Sequence, residues 1–473
     1  MISGCSRYFS LDVVKSGLLC AAIFFSPAFV SAQEDAFFIK SVFDKALTEG
    51  ECYGWLRHLT KKVGPRLAGS PGAEAAVYSM QRLMDTLGFD TVYLQPCMTP
   101  RWDRGAPASG RIVNNPEIGT QELNVVALGN SIGTGRTGLT APIVEVQTLA
   151  EVEQLGRAGV AGRIVFFNRP MDPTRYNTFS AYGRAVDQRV YGLIAAGRLG
   201  AKAVLVRSMT AGKDDIPHTG TVFLTDTVRQ IPALSVSTND ADMLSELLTY
   251  GEVRVHLQSN GRNLPPVRSY NVIGEVRGTT HPEEIILVGG HLDSWDIGEG
   301  AHDDGAGCVH ALQVLPLLRK LEYRPQRTFR CVLFMNEENG LAGGKAYRAA
   351  SDAAEEFHLA AIESDRGGFT PRGFSAQGRA DVFKAHYKRV NDWLPLLEPY
   401  GLTFITGGSG ADISGLIGQG GLLLGFLPDS QRYFDYHHTA ADVFEAVNRR
   451  ELELGAASIT SLVYLIDKYG LDQ

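Results

Sequence analysis

The chain has 473 residues, of which 44% are hydrophobic and 21% are charged, and its formal net charge is −7 at pH 7. Such a length allows two domains, or one large domain that carries an insertion, and the composition is ordinary for a soluble globular protein. Because the sequence shows no stripe of Lys and Arg, we expect neither nucleic acid nor an anionic membrane surface as a partner.

The first residues of the chain have the pattern of an export signal. A weakly basic start precedes an apolar run over residues 17–30, and Ser31 and Ala32 are small, as a signal peptidase requires. Pro27 interrupts the apolar run, which is short for a membrane span. We therefore expect a signal peptide over residues 1–32, a secreted or periplasmic protein, and no stable membrane span after signal removal. An uncleaved anchor is the alternative.

Four cysteines remain after the predicted signal, and none of them forms a CxxC pair. The sequence therefore offers no thiolate metal site and no dithiol redox centre. Cys308 falls in a predicted helix and Cys331 in a predicted strand, so we expect both to be buried free thiols. A disulfide between Cys52 and Cys97 is left open.

The first half of the mature chain divides into two patterns. Residues 33–122, which we assign to the N-terminal part of a catalytic domain, begin with a helical region and continue with short strands such as 91–94. Residues 123–263 alternate short apolar runs with glycines and polar turns, and we interpret them as an inserted α/β lid domain. Its predicted elements are strands at 141–146, 162–167, 203–207 and 253–257, and a helix at 188–199.

Residues 264–473 alternate between strands and helices and form the main part of the predicted catalytic domain. This alternation predicts an α/β sheet with helices on both faces. We expect a helix over 305–320 that is kinked at Pro316, and an amphipathic helix over 449–469 that packs on the core. The predicted strands are 271–276, 284–290, 328–336, 359–364 and 422–428.

Imidazole and carboxylate groups follow four of these apolar strands. Each group alone is typical of ordinary structure, such as a structural histidine, a solvated Glu pair or an Asp turn. Because open α/β sheets place their sites beyond the carboxyl ends of the strands, we expect the groups to converge at one rim. They are His291 and Asp293, Glu337 and Glu338, Asp365, the His437-His438 pair, and His302, Asp303 and Asp304 in the connection after His291.

So many carboxylates near buried strand ends need positive charge, which bound metal ions supply. Imidazole and carboxylate without thiolate suit Zn²⁺, with Mn²⁺ or Co²⁺ as alternatives. Five ligands, one of them a bridging carboxylate, make two three-ligand sites, so we expect two zinc ions per chain. Asp293 is placed to brace the imidazole of His291 and to select its tautomer.

The chain resembles the M28 family of di-zinc peptidases over most of its mature length. The resemblance rests on GPRLAGSPG at residues 64–72, HLDSWD at 291–296, GAHDDG at 300–305 and the His437-His438 pair. It is strongest for the carboxypeptidase Q subgroup of that family. It implies a mixed central sheet of the zinc-aminopeptidase or phosphorylase/hydrolase type, a protease-associated insert domain as the lid, and a homodimer.

The same resemblance implies a role for each metal ligand. His291 and Asp365 fall on opposite metals, and Asp303 bridges the two ions. Glu338 and His438 complete the two sites.

Two positions need a choice between neighbouring residues, and a third departs from the family pattern. Asp303 is preferred to Asp304 because family members carry the bridge at the first acidic position. His438 is preferred to His437 because it directly precedes a threonine, as in the family pattern. His302 departs from many members, and we interpret it as loop structure.

The expected reaction is hydrolysis of a peptide bond. A metal-bridged water is the nucleophile, and Glu337 is the general base that takes its proton and later delivers it to the leaving amine. The subgroup resemblance favours a secreted zinc carboxypeptidase or dipeptidase that acts on short peptides or dipeptides. An M28 aminopeptidase is the first alternative, and a catalytically inactive, receptor-like binding protein is a remote one. The glycine-rich segment 407–412 is either a wall of the specificity pocket or a loop before a helix.

Overall fold

The structure, a computed structural model, describes Met1, Gly4 and residues 27–471. The predicted signal peptide over residues 1–32 lies largely outside the described residues. The first helix, α1, spans Pro27–Glu49 and so begins within the last residues of that predicted segment. In the part of the chain that the structure describes, no helix is both long enough and apolar enough to cross a membrane.

The described residues contain sixteen strands, which form two eight-stranded sheets. In chain order the strands are β1 (Thr91–Asp103), β2 (Ser109–Asn115), β3 (Gly119–Leu123), β4 (Val125–Ala127), β5 (Leu139–Val146), β6 (Ile164–Phe167), β7 (Ala203–Arg207), β8 (Ala233–Val236), β9 (Arg254–Gln258), β10 (Arg262–Val276), β11 (His281–His291), β12 (Arg327–Phe334), β13 (Phe357–Glu363), β14 (Pro371–Gly378), β15 (Thr403–Thr406) and β16 (Leu422–Pro428).

One of the two sheets has longer strands and is therefore the larger sheet. Its order is β1-β10-β12-β11-β13-β16-β14-β15. Its central strands β12, β11, β13 and β16 run parallel, whereas β1, β10 and β14 have antiparallel neighbours. Every residue of β12 is buried, which is the pattern of a parallel strand covered on both faces. The sheet is therefore mixed, and its parallel strands share one carboxyl-terminal rim.

Helices cover both faces of the larger sheet. Ile286 and Val288 of β11 belong to one core, whereas Leu287 between them belongs to another core that includes Tyr347. Successive residues of a strand point to opposite faces, so both faces are packed. The α-helices are α1, α2 (Cys52–His58), α3 (Pro71–Met84), α4 (Leu149–Val160), α5 (Thr178–Gly183), α6 (Asp187–Arg198), α7 (Thr238–Tyr250), α8 (Ala306–Lys320), α9 (Ala342–Ala353), α10 (Ala380–Asp392), α11 (Leu394–Leu397), α12 (Tyr433–Tyr436) and α13 (Arg449–Tyr469).

The second sheet has the order β3-β2-β9-β5-β6-β7-β8-β4. It starts before residue 123, where we predicted the insert to begin, because β2 pairs with β9 from Ser109 opposite Gln258 to Ile112 opposite Val255. The second sheet thus includes strands β2 and β3, which begin before residue 123. The division of the chain into domains stays a prediction.

The predicted α/β class with a mixed sheet and helices on both faces is confirmed. The strands at 203–207 and 422–428 and the helix at 449–469 have the predicted bounds. Helix α8 continues through Pro316, where we expected a kink. Strand β14 was not predicted because its sequence, PRGFSAQG, mixes small, polar and aromatic residues without a regular period.

The cysteines of the described region are free. Cys52, Cys97, Cys308 and Cys331 are all buried thiols. The expectation for Cys308 and Cys331 is confirmed, and Cys52 and Cys97 form no disulfide with each other.

Candidate metal centre

The groups singled out in the sequence lie at the carboxyl ends of four neighbouring strands. His291 is the last residue of β11, and Glu337 and Glu338 follow the end of β12. Asp365 follows β13, and His438 lies beyond β16, just after the short helix α12. Because parallel strands end at the same rim, groups far apart in the sequence meet there.

His291 faces two carboxylates. Its Nε2 atom lies 3.2 Å from Oδ1 of Asp303 and 3.4 Å from Oδ1 of Asp365. One ligand atom from each of the three residues lies within 4.8 Å of the others. Metal–ligand bonds of about 2 Å place neighbouring donors at this kind of separation, so one ion can contact all three residues.

His438 faces a second pair of carboxylates. Its Nε2 atom lies 3.1 Å from Oε2 of Glu338 and 3.3 Å from Oδ2 of Asp303. Nε2 of His437 lies 3.8 Å from the same Asp303 oxygen, and the two imidazole rings stack with centroids 3.5 Å apart. Because His438 contacts two carboxylates and His437 only one, the geometry favours His438 as the second imidazole ligand.

Asp303 lies between the two histidines, and its neighbour Asp304 does not. Oδ1 of Asp303 faces His291, and Oδ2 faces His438. The carboxylate of Asp304 instead accepts hydrogen bonds from the backbone N–H groups of His291 and Gly307, both at 2.9 Å. Of the two aspartates, only Asp303 has one carboxylate oxygen facing each of the two imidazoles.

Asp293 holds the loop that carries Glu337. Its Oδ1 atom accepts hydrogen bonds from the backbone N–H groups of Asn336, at 2.6 Å, and of Glu337, at 3.0 Å. We expected its carboxylate to select the tautomer of His291, but Nδ1 of His291 lies nearer to the main-chain oxygen of Asp293, at 3.0 Å, than to Oδ1, at 3.8 Å. The main-chain carbonyl is thus the nearer acceptor for the imidazole.

Arg66, from the GPRLAGSPG segment, fixes the connection that precedes Asp303. Its guanidinium is fully buried and donates to three main-chain oxygens, those of Leu292 at 2.6 Å, Glu299 at 2.6 Å and Gly300 at 2.8 Å. These bonds satisfy backbone carbonyls that would otherwise be buried without partners. Arg66 therefore fixes the connection that carries Asp303 from outside the site.

Asp442 and a stacked histidine complete that support. The carboxylate of Asp442 accepts hydrogen bonds from the backbone N–H groups of His302, at 2.7 Å, and Asp303, at 3.1 Å. The buried imidazole of His302 stacks on both Phe369 and Tyr436, with ring centroids 4.2 Å and 5.2 Å away. This packing agrees with the interpretation of His302 as loop structure.

The protein's own charges do not balance at this site. Burial, with the nearby Asp303 carboxylate, raises the pKa of Glu338 to about 7. Burial also raises the pKa of Glu337 well above its ordinary value, and the Asp365 carboxylate adds to the shift. Burial lowers the pKa of His438, but Glu338 and Asp303 outweigh it and raise that pKa to about 9. Crowded carboxylates with raised pKa values are a place where cations bind favourably.

The residues present fit metal ions. Two three-residue groups, His291 with Asp303 and Asp365, and Asp303 with His437 and His438, share the Asp303 carboxylate. Oε1 of Glu338 is buried and has no hydrogen-bond partner in the described residues, so it is free to act as a donor to a cation. Imidazole and carboxylate donors without thiolate are the set that suits zinc.

A cavity of about 680 Å³ opens beside this centre. The larger sheet contributes Glu337 and Asp365 to its lining, and the helices that flank the second sheet contribute Phe179, Tyr182 and Arg189. A cleft of this size holds a small ligand, and the acid and imidazole groups at its floor are suited to hydrolysis.

The residues that helices α5 and α6 bring to the cleft were not predicted. Arg189 lies in the predicted helix 188–199, but a single arginine in a helix cannot be told from a solvated one by periodicity. Of the two alternatives for residues 407–412, a pocket wall or a loop before a helix, the second is favoured, because none of these residues lines the cavity and a short helix follows at Ser414–Gln419. Their backbone instead supports Glu363, whose carboxylate accepts from Ala411 N–H and Ile413 N–H, both at 3.0 Å.

Comparison with known proteins adds a family relationship to this geometry. The profile of Peptidase family M28 matches residues 271–463. Carboxypeptidase Q from Bos taurus is 32% identical over 430 residues, which cover 90% of this chain and 87% of that protein. A crystal structure of a peptidase M28 precursor from Shewanella amazonensis SB2B is 33% identical, covers 93% of this chain and 98% of that chain, and has a TM-score of 0.86. BSAP, a zinc aminopeptidase from Bacillus subtilis, is 19% identical and shares the fold, with a TM-score of 0.60 over 88% of this chain and 94% of that chain.

Proposed function

Because the chain belongs to peptidase family M28, we propose that it is a zinc-dependent exopeptidase that hydrolyses short peptides or dipeptides. Membership of the family makes it a metallopeptidase and therefore a hydrolase. Carboxypeptidase or dipeptidase action is the preferred form, since the relatives named carboxypeptidase Q align with most of this chain.

One observation carries this proposal: the buried carboxylate of Asp303 lies between two imidazoles, each of which faces a further carboxylate. His291 lies 3.4 Å from Asp365, and His438 lies 3.1 Å from Glu338. We expected His291 and Asp365 on opposite metals, but the 3.4 Å between their ligand atoms supports placing both on the same ion. In this proposal, His291, Asp303 and Asp365 would hold one zinc ion, and Asp303, Glu338 and His438 would hold the other. Bound zinc supplies Lewis-acid polarisation of the scissile carbonyl and acidifies the attacking water.

Glu337 acts as the general base. It lines the cleft next to the proposed ligand Glu338, and its backbone N–H is held by Asp293. Burial raises the pKa of Glu337, which makes its carboxylate a better proton acceptor near neutral pH. The carboxylate takes one proton from the attacking water and later returns it to the nitrogen of the leaving amine, so the base is regenerated in each turnover.

Replacing Glu337 separates its role from that of the ligands. We expect Glu337→Gln to bind zinc as the native protein does and to lower kcat by about 10²- to 10⁴-fold, because the amide cannot accept the proton. Zinc content is measured by plasma mass spectrometry, and turnover is measured on a dipeptide.

The control is Glu246→Gln, an exposed position on α7. It should match the native protein in both measurements. Near-normal turnover by Glu337→Gln with full zinc would refute the assignment of the base, and a native protein that binds no zinc would refute the metal centre.

The second sheet is proposed to act as the lid of the cleft. Helix α5 places Phe179 and Tyr182 in the lining of the cleft. Export of the protein and assembly into a homodimer remain proposals that rest on the N-terminal sequence pattern and on the family resemblance.

A further inference from the structure

The cleft contains a buried arginine with no carboxylate partner in the described residues. Arg189 is 5% exposed and lines the cavity. Its Nη2 donates to Oη of Tyr182 at 2.7 Å, and its Nη1 donates to the main-chain oxygen of Thr219 at 3.5 Å. Its Nε is buried without any hydrogen-bond partner in the described part of the chain. The guanidinium therefore keeps both its charge and one N–H donor unmatched.

Other buried arginines of the described chain are compensated. Arg104 pairs with Asp296 at 2.6 Å, Arg207 pairs with Asp242 at 2.7 Å, and Arg330 contacts two glutamates at 2.6 Å and 2.8 Å. Arg66 lacks a carboxylate, but three main-chain oxygens saturate it and it does not line the cavity. A buried charge is costly unless an opposite charge or strong acceptors compensate it, so Arg189 calls for an anion from outside the chain.

The position of Arg189 connects it to the metal centre. Its guanidinium carbon lies 5.5 Å from the ring centroid of Tyr182, and that ring lies 5.2 Å from the imidazole of His437. The guanidinium also rests on the backbone of Gly220, where a Cβ atom would lie only 2.4 Å from Nη1. The side chain is thus held in place by its neighbours, two side chains away from the proposed zinc ligands.

In contrast to Arg189, the carboxylates that line the cleft all have a proposed role. The cavity contains four carboxylates, those of Asp303, Glu337, Glu338 and Asp365, and each already serves as a proposed ligand or base. No further carboxylate among the described lining residues is left to bind a substrate ammonium group. Recognition of a free carboxylate is therefore better supported than recognition of a free amine.

We propose that Arg189 binds the free α-carboxylate of the peptide substrate and so directs hydrolysis to the carboxyl-terminal peptide bond. The planar guanidinium can form two parallel hydrogen bonds to a carboxylate, which fixes the orientation of the last residue as well as its charge. The inference rests on the proposed peptidase function and extends it by naming which end of the peptide is read. It also selects carboxypeptidase or dipeptidase action over aminopeptidase action.

The test compares the zinc-loaded native protein with Arg189→Met and Arg189→Lys on N-acetylated and free dipeptides, each as the acid and as the carboxyl amide. We expect the native protein to lose about 10- to 100-fold in kcat/KM when the carboxylate is amidated. Arg189→Met should lose a similar factor on the acids, mainly through KM, and should change little on the amides. Arg189→Lys should recover part of the loss, since it keeps the positive charge but cannot form two parallel hydrogen bonds to the carboxylate.

A binding measurement accompanies the kinetics. Calorimetric titration with an N-acetyl amino acid should show weaker binding to Arg189→Met than to the native protein, by a similar factor. Arg198→Met, an exposed position on the same helix, is the matched control for both folding and activity. The melting temperature of each variant shows whether it is folded.

Each outcome has a distinct meaning. Equal native hydrolysis of acids and amides, or an equal loss on both in a folded Arg189→Met, overturns the role of Arg189 and leaves the peptidase standing. If only acetylation of the amine abolishes hydrolysis by the native protein, the role of Arg189 is overturned and the enzyme is an aminopeptidase. If blocking either end of the dipeptide lowers hydrolysis by the native protein, and amidation lowers it only in the native protein and not in Arg189→Met, the role of Arg189 holds and the enzyme is a dipeptidase. No hydrolysis of any peptide by the zinc-loaded native protein overturns the proposed function itself.

Discussion

Asp303 and Asp304 are neighbours in the sequence, yet their carboxylates have different partners. Asp303 faces the imidazoles of His291 and His438, whereas Asp304 accepts two backbone N–H groups at 2.9 Å. The first arrangement is that of a bridging ligand, and the second is that of a local structural support. The two aspartates differ in role because their side chains point in different directions.

The substitution of each aspartate by asparagine should separate these tasks. Asp303→Asn is expected to lower the zinc content below two ions per chain, because a neutral amide replaces the shared carboxylate. Asp304→Asn is expected to retain zinc but to lower the free energy of unfolding by about 1–3 kcal/mol, since one acceptor oxygen becomes an N–H₂ donor facing a backbone N–H. Zinc analysis and thermal unfolding of both variants check the pair, and the reverse pattern would contradict the assignment.

At the scale of elements, helix α8 is packed against the strand ends through glycines. A Cβ atom on Gly307 would lie 1.8 Å from the main-chain oxygen of Ser364, and one on Gly290 would lie 2.8 Å from the carbonyl carbon of Gly307. These close approaches bring the start of α8 against β11 and the residue after β13. They hold the connection that carries Asp303 against the end of β11, where Oδ1 of Asp303 lies 3.2 Å from Nε2 of His291.

Gly307→Ala therefore tests the packing of α8 on the sheet. We expect it to lower the free energy of unfolding by about 1–3 kcal/mol, because the added methyl group must displace backbone atoms. Gly54→Ala in α2, where a Cβ atom would meet nothing within 4 Å, is the matched control and should be neutral or stabilising by about 0.5–1 kcal/mol. Thermal unfolding of both variants gives the comparison, and equal effects would show that α8 can shift.

At the scale of the whole molecule, the structure buries several histidines in neutral form. Burial lowers the pKa of His358 to about 4, and Nδ1 and Nε2 of that side chain lie 2.8 Å from Gln419 Oε1 and 2.7 Å from Tyr347 Oη. Burial likewise lowers the pKa of His310 to about 4 and of His218 to about 3. Because these folded-state values lie below the unfolded value near 6.5, the unfolded chain binds protons first as the pH falls.

Stability should therefore decline as the pH falls from about 6.5 to 4. His358 alone contributes up to about 3 kcal/mol of this loss, since each unit of pKa shift corresponds to about 1.4 kcal/mol. His358→Gln, which does not titrate, should show a shallower decline in melting temperature over the same range. Parallel curves for the native protein and His358→Gln would contradict the neutral burial of this side chain.

The main features of the fold were predictable because they depend on local pattern. Long apolar runs predict the central strands, and the strand at 422–428 and the helix at 449–469 have their predicted bounds. The first strands of the second sheet were not predicted, since β2 pairs with β9, which lies far along the chain. Periodicity within a segment carries no information about such a distant partner.

The chemistry of the centre was also visible in the sequence, because each imidazole or carboxylate follows an apolar strand or lies in the connection after one. Parallel strands ending at one rim bring such groups together whatever their spacing along the chain. Only the tertiary structure decided the direction of side chains and the approach of distant segments. Both oxygens of Asp303 face imidazoles, His438 lies nearer than His437 to the carboxylates, and Arg189 of helix α6 lines the cleft. These depend on how separate elements pack, and no local pattern specifies the orientation of a single side chain.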